Sequence, residues 1–328
     1  MTRKIAVLTS SRADFSHLVW PLRQIDAHPG LTLQLLVTGA HLSHEFGHSI
    51  TEIEAAGFDV AHRIESLLSS DSDVGMAKTI GVTMLGLTEI LAADRPDILL
   101  LIADRYEMLA PAAAALALRI PMAHIEGGEI SEGAIDDAVR NALTKMAHLH
   151  FTPTENARRR VVAMGEEAWR VHAVGAPSID TLSNQPLDDR DTIASKLKMS
   201  LQPAPALVSI HPVTLLDDTL SELDAILDAI RGLDAPIAFC FPNADAGSRE
   251  LARRARLFCD TRDDARVFVN LPPHEYWSLL SHSAVLIGNS SSGIMETPTL
   301  GVPTVNVGER QRGRDRAANI IDVAAEAA

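Results

Sequence analysis

Residues 98–108 read ILLLIADRYEM. The first six are aliphatic without a break, and Asp104 and Arg105 end the run. A strand with one wet face alternates apolar and polar side chains. A short run that is apolar at every position is instead a strand covered on both faces, as in a parallel sheet. The same grammar extends both ways along the chain. Upstream stand IAVLT (5–9), LTLQLLVT (31–38) and FDVAHRI (58–64). Helical patterns follow them over about 15–27, 50–56 and 73–93, and Gly57 is placed to stop the second. Downstream come a helix ending before Pro121, the short strand MAHI (122–125) and a helix over about 136–147. Apolar strands alternating with helices predict an α/β, doubly wound sheet.

The alternation pauses over 175–205, where GAPS, NQPLDD and LQPAPA gather Pro and Gly around one helical stretch at 192–199. It resumes with ALVSIH (206–211), PIAFCFP (236–242), RVFVN (266–270), AVLIGN (284–289) and TVNV (304–307). Helices are expected between them over about 220–231, from 247, and over 275–282. The chain thus reads as two doubly wound Rossmann-like domains, 1–175 and 176–328, without an internal sequence repeat. Ligands of such sheets bind beyond the carboxyl ends of the strands. A cleft between two facing domains is the expected site.

With 46% hydrophobic and 22% charged residues, 328 residues can bury two ordinary cores. A net charge of −14 argues against nucleic acid or an anionic membrane as partner. It leaves room for a small anionic ligand, which needs only a few donors. The start, MTRKIAVLTSSRADF, has no A-x-A-like cleavage site and reads as a first strand. No apolar segment of ~20 residues is expected, the longest being cut at Asp104 and Arg105. Cys240 and Cys259 make no C-x-x-C pattern and are expected as two reduced thiols. A soluble cytoplasmic protein is the expectation.

The strand-end rule selects candidate residues: Ser10, Ser11 and Arg12; Gly39 and His41; Asp104 and Arg105; His124, Glu126 and Glu129. From the second half it selects His211, Asn243 with Asp245, and Asn289 with Ser290, Ser291 and Ser292. GNSSSG (288–293) lies between a strand and a helical stretch at 294–300. Its glycines, serines and backbone N–H groups suit an anion, though a plain serine cap is the alternative. It is neither a Walker loop nor G-x-G-x-x-G. Glu296 could accept two ribose hydroxyls, and ERQRGR (309–314) offers cations to a diphosphate. NARRRVV (156–162) and RELARRARL (249–257) read as exposed helix faces. HIEGGEISEGAIDD (124–137) concentrates carboxylates after an apolar strand. In a strand, residues i and i+2 share a face, so His124 and Glu126 are expected to point together. Zinc at His124 and Glu126 is one option, a hydrogen-bonded core histidine another. Carboxylates in differing environments suit acid/base chemistry better, with Asp104 joining from the neighbouring strand.

Seven stretches, in order, resemble the UDP-N-acetylglucosamine 2-epimerase family, nearest its hydrolysing branch in sialic- and legionaminic-acid synthesis. They are SRADFS (11–16), DRYEM (104–108), HIEGGE…IDDAVR (124–140), HPVT (211–214), FPNADAGS (241–248), GNSSSGIMET (288–297) and GERQRGR (308–314). The resemblance implies a two-domain fold of the glycosyltransferase-B type. It implies that Arg12, Ser16, Arg105, His211, Asn243, Ser290, Ser291, Glu296 and Arg310 contact UDP. Asp104, Glu126 and one of Asp136 and Asp137 become the catalytic carboxylates, with His211 beside them. The implied reaction is elimination of UDP to a glycal, then hydration, releasing N-acetylmannosamine or the equivalent diacetamido-trideoxy sugar. The implied partner is a small-molecule sugar nucleotide, with no cofactor or metal, and a homodimer is expected. The non-hydrolysing epimerases and, further off, a glycosyltransferase share the fold. The family pattern continues through a further C-terminal helix, whereas this sequence ends at VAAEAA.

Overall fold

The computed structural model describes residues 2–68, 72–131, 135–211, 221–241, 248–269 and 271–325. The chain divides into two compact units, Met1–Glu129 with Ile135–Thr181, and Ile130–Ala134 with Leu182–Ala328. Unit 1 alternates β1 (Arg3–Thr9), α1 (Arg12–Ala27), β2 (Leu31–Thr38), α2 (Ile50–Ala55), β3 (Val60–Ile64), α3 (Asp73–Ala93) and β4 (Ile98–Ile102). It continues with α4 (Leu109–Leu118), β5 (Met122–Ile125), α5 (Ile135–Met146), β6 (Leu149–Thr152), α6 (Glu155–Ala163) and β7 (Val171–Ala173). Its strands form one parallel sheet in the order β3-β2-β1-β4-β5-β6-β7. α7 (Pro177–Asn184) spans the division between the units.

The unbroken aliphatic character of 98–102 has its cause in the two layers. Leu99 and Leu101 face Leu87 and Leu91 of α3, Ala112 of α4 and Leu143 of α5. Leu100 and Ile102 face Phe15 and Leu18 of α1 and Ile53 of α2. Each residue from Leu99 to Ile102 therefore leaves water whichever way it points, which at roughly 25 cal/mol per Å² makes this strand a centre of the fold.

Unit 2 repeats the scheme with α8 (Arg190–Leu197), β8 (Ala206–Ser209), α9 (Ser221–Arg231), β9 (Ile237–Phe241), α10 (Ser248–Cys259), β10 (Ala265–Val269) and α11 (Pro273–Ser281). β11 (Val285–Gly288), α12 (Ser292–Met295), α13 (Thr297–Leu300), β12 (Thr304–Val307) and β13 (Ile320–Val323) complete it. Its parallel sheet runs β10-β9-β8-β11-β12-β13. Val208 and Phe239 pack on Leu223 and Leu251 on one face. Leu207 and Cys240 pack on Ile193 and Leu279 on the other. Cys240 and Cys259 are unbridged, and burial pushes both thiols above their usual range.

Several expectations change. β6, β7, β13 and α7 stand where the pattern gave no element; the three strands are only three or four residues long. β6 also carries a histidine, His150, which is fully buried opposite Glu166 at 3.3 Å. The helix expected over 294–300 is two four-residue turns meeting at Glu296, since Pro298 begins a new one. The expected absence of a long apolar segment is corrected by α3. Its 21 residues are long and apolar enough to cross a membrane by length and composition. Glycine and threonine dilute the run, and Thr79, Thr83, Leu87 and Leu91 anchor one side of it in unit 1.

Candidate active site

In each sheet the strand order reverses once, between β1 and β4 in unit 1 and between β8 and β11 in unit 2. Loops leave such a switch point in opposite directions and open a crevice at the carboxyl ends. The candidate residues among those described lie in the loops that follow these strands and their neighbours β2, β5 and β12.

At the first, β1 turns into α1 through a capping box. Asp14 accepts from the backbone N–H groups of Ser10 and Ser11 at 2.6 and 2.7 Å, and from the Ser11 hydroxyl at 2.6 Å. That fixes the start of α1. Arg12 grips both carboxylate oxygens of Glu52 on α2 and donates to the Phe46 carbonyl at 3.2 Å. The Ser16 hydroxyl donates to the Ala13 carbonyl at 2.7 Å. One position on, Nδ1 of His17 meets Oε1 of Glu126 at 2.7 Å. His41 is enclosed by Thr9 and Ser49, and burial lowers its pKa to about 4.

β4 ends in a left-handed residue, Ala103 (φ 58°), which swings Asp104 out of the strand path. Asp104 forms an ion pair with Arg140 of α5. Arg140 is 1% exposed. Its guanidinium also donates to the Glu129 carbonyl at 3.1 Å and lies 3.6 Å from Asp137. Asn141 donates to the other oxygen of Asp137 at 3.0 Å. Asp136 occupies the same first turn of α5. Arg105 folds back on Glu107, bonding it at 2.8 and 3.2 Å, and lies over the Tyr106 ring. Burial raises the Glu107 carboxyl, and the Arg105 charge works against that shift.

The shared direction expected for His124 and Glu126 is corrected. β5 stops at Ile125, and Glu126 has φ 65°, so strand alternation ends between them. His124 turns to the α5 side, bonding the Thr144 hydroxyl at 3.1 Å and the Ala103 carbonyl at 2.8 Å. Burial lowers its pKa to about 4. It is a hydrogen-bonded core histidine, while Glu126 turns to His17 on α1. Among the described residues no group of three metal-ligating side chains occurs. The double glycine after Glu126 has a steric reason. A Cβ on Gly128 (φ 81°) would lie 2.3 Å from the Ala157 carbonyl, so α6 approaches only because the side chain is missing. Arg160 then reaches the Gly128 carbonyl at 3.2 Å. Of NARRRVV, that arginine and Arg158, bonded to the Val171 carbonyl at 3.1 Å, belong to the packing and not to an exposed face.

At the second switch point Asn289, fully buried, bridges two strand ends. Its side-chain oxygen accepts from the His211 N–H at 2.7 Å, and its side-chain nitrogen donates to the His211 carbonyl at 2.9 Å and to Glu222 at 2.8 Å. Burial raises the Glu222 carboxyl. Gly288 lets β11 come this close, since a Cβ there would lie 2.0 Å from the Ser209 carbonyl. Arg310 and Gln311, from the loop after β12, both donate to the Asn289 carbonyl, at 3.2 and 2.9 Å. Ser290, Glu296 and Arg310 are buried and Ser291 is half-buried around this point. The rest of the basic run is spent elsewhere. Arg312 pairs with Glu309, and Arg314 donates to Ile130 and Ser131 of the same unit. With only one helical turn in α12, the dipole expected behind the serines is small, and side chains and loop N–H groups carry the polarity. Asn243 and Asp245 lie outside the described residues.

Sequence reasoning passed over Arg140, His17 and Glu222. Arg140 had a signal, being three residues beyond Asp137 on one helix face. His17 and Glu222 had none, because their partners are 109 and 67 residues away.

Comparison with known proteins places this geometry. Residues 23–328 match the family model described as UDP-N-acetylglucosamine 2-epimerase. The chain is 35% identical to the GDP/UDP-N,N'-diacetylbacillosamine 2-epimerase (hydrolyzing) of Campylobacter jejuni, covering 98% of this chain and 84% of that protein. It is 30% identical to the UDP-N-acetylglucosamine 2-epimerase of Neisseria meningitidis, over 97% and 83% of the two chains. Among solved structures it resembles the Methanocaldococcus jannaschii UDP-GlcNAc 2-epimerase in complex with UDP-GlcNAc and UDP. There the TM-score is 0.78 at 16% identity, over 98% of this chain and 89% of the other. The Neisseria meningitidis enzyme bound to UDP-GlcNAc gives a TM-score of 0.76 at 15% identity, over 94% and 84%. The fold is the glycosyltransferase-B type shared by these enzymes. Matched by the family model from residue 23 to its end, and by relatives along nearly its whole length, the chain belongs to the UDP-N-acetylglucosamine 2-epimerase family.

Proposed function

We propose that the protein is a hydrolysing 2-epimerase of a UDP-linked diacetamido-trideoxy sugar of the N,N'-diacetylbacillosamine type, acting in the cytoplasm. The observation that carries this is the pair of acid/base groups at neighbouring strand ends of unit 1. Asp104 is tied to Arg140 on the α5 face of the sheet, and Glu126 to His17 on the α1 face. Inverting a carbon by way of its anion-like state needs one group to take a proton and another to return one from the opposite side. Two separately held carboxylates meet that need, where a simple displacement needs one base. The Campylobacter jejuni relative at 35% identity supports the diacetamido substrate over N-acetylglucosamine, whose Neisseria epimerase is more distant at 30%.

In this reading UDP is held by Ser290, Ser291, Arg310 and His211, with Asn243, Arg12, Ser16 and Arg105 completing its contacts and Glu296 taking ribose hydroxyls. A carboxylate removes the C2 proton; the C–H electron pair becomes the C1–C2 double bond, and the C1–O pair leaves with UDP. Water then bonds to C1 of the glycal and loses a proton. C2 gains a proton on the other face. Asp104, Glu126 and one of Asp136 and Asp137 make these transfers. The guanidinium of Arg140 holds the Asp104 carboxylate in place, and the 2.7 Å contact with His17 does the same for Glu126.

Turnover of UDP-N,N'-diacetylbacillosamine in D₂O should place one deuterium at C2 of each released sugar. In ¹⁸O-water the label should enter the sugar at C1 and not the UDP. Released sugar with protium at C2 and retained configuration would make the protein an ordinary sugar-nucleotide hydrolase. An intact UDP-sugar epimer as the main product would move it to the non-hydrolysing enzymes.

A further inference from the structure

Asp104 and Glu126 differ in their access to water. The Asp104 side chain keeps 19% of its exposure, that of Glu126 only 7%. The backbone fixes Glu126 in this recess. Its φ of 65° turns it off the end of β5, and its N–H donates to the Phe151 carbonyl at 2.8 Å. Two histidines stand near it. His124 is 1% exposed, and both its ring nitrogens are engaged, with the Thr144 hydroxyl and the Ala103 carbonyl. His17 instead sets Nδ1 2.7 Å from Oε1 of Glu126 and keeps 19% of its side chain exposed. Its ring therefore meets the buried carboxyl group and solvent at once. α1 holds it there, since Phe15, Ser16 and Leu18 around it are buried and the capping box fixes the start of the helix.

On the reaction proposed above, on which this inference rests, Glu126 ends each turnover one proton richer if it took the C2 proton, or one poorer if it returned one. In either case a proton must cross between Glu126 and solvent before the next turnover. An imidazole has two nitrogens, so it takes up a proton at one and releases one at the other. To reload Glu126, Nε2 forms a bond to a proton from water, and the Nδ1–H bond breaks as its proton passes to Oε1. To unload it, Nδ1 takes the Oε1 proton and Nε2 gives one up to water. The ring regains its starting tautomer by exchange with water between turnovers, and no atom of the substrate takes part.

We propose that His17 is the proton relay of Glu126, carrying one proton per turnover between that buried carboxyl group and solvent.

His17→Gln separates this role from simple support. A glutamine amide still donates to the Glu126 carboxylate, but it does not take a proton at one atom and release it at another. Steady-state kinetics of the full chain on UDP-N,N'-diacetylbacillosamine should show kcat reduced by at least about tenfold, with KM and the Kd for UDP within about twofold of the wild type. His17→Ala should be equally slow. Added imidazole should restore its turnover in proportion to concentration, at fixed pH and ionic strength, and leave the wild type unchanged. His17→Gln turning over like the wild type, or His17→Ala that imidazole does not restore, overturns the relay while the reaction stands. A wild type that releases no sugar carrying deuterium at C2 in D₂O removes the reaction, and the relay with it.

Discussion

Arg140→Met replaces a buried guanidinium by a neutral side chain of comparable length. The arginine is 1% exposed and holds three acceptors, the Asp104 and Asp137 carboxylates and the Glu129 carbonyl. Breaking a buried ion pair on one side costs roughly 3–5 kcal/mol, because the remaining charge keeps its desolvation. Asp104 retains 19% of its side-chain exposure and Asp137 29%, so solvent takes up part of the loss. The lower end, about 3 kcal/mol, is expected. For a unit of this size that lowers the melting transition of unit 1 by about 6–12 °C in calorimetry. Turnover should fall as well, since Asp104 loses its anchor. Asp104→Asn in the same background removes the stranded charge. The double variant should therefore be more stable than the sum of the singles by about 1–3 kcal/mol. Strict additivity of the two changes would show that Arg140 does not act through Asp104, and the reasoning would fail.

Asp104→Asn and Glu126→Gln keep shape but remove proton transfer, so turnover should drop by at least ~10²-fold with UDP affinity little changed in titration calorimetry. Ser290→Ala and Arg310→Ala should each weaken UDP binding by roughly 1.5–3 kcal/mol, whereas Arg159→Ala, on the outer side of α6, should not. His41 and His124 set an acid limit. Burial lowers both to about 4, while the unfolded chain binds the proton below its ordinary 6.5. The stability they permit is complete above pH 6.5 and is lost as pH falls toward 4, about 3 kcal/mol for each. His41→Asn should lower the slope of unfolding free energy against pH by the equivalent of one proton across that window; an unchanged slope would contradict it.

Long apolar runs bounded by Gly, Pro or a charge were legible from the sequence. LTLQLLVT, MAHI and TVNV occupy their expected bounds, as does the helix over 73–93. Burial on both faces writes itself into every residue of such a run. LHFT and VHA escaped because nothing marks where they start: MAHI follows Pro121 and TVNV follows Pro303, whereas these equally short strands follow a helix and a turn with no proline before them. The strand-end rule found the loops in which the described candidates Ser10–Arg12, Asp104, Glu126 and Asn289 stand. It could not reveal how they face, since a left-handed residue at Ala103 or Glu126 leaves no mark in residue type and reverses the side to which a carboxylate turns.

Three segments depend on the one side chain of Asn289. Exchanging its amide for a carboxylate, as in Asn289→Asp, removes the donor to the His211 carbonyl and to Glu222 and sets a second carboxyl against that of Glu222. A buried acceptor then loses its partner. The end of β8, the end of β11 and the loop of Arg310 would be disturbed together by that single exchange, even while the rest of the fold stayed whole.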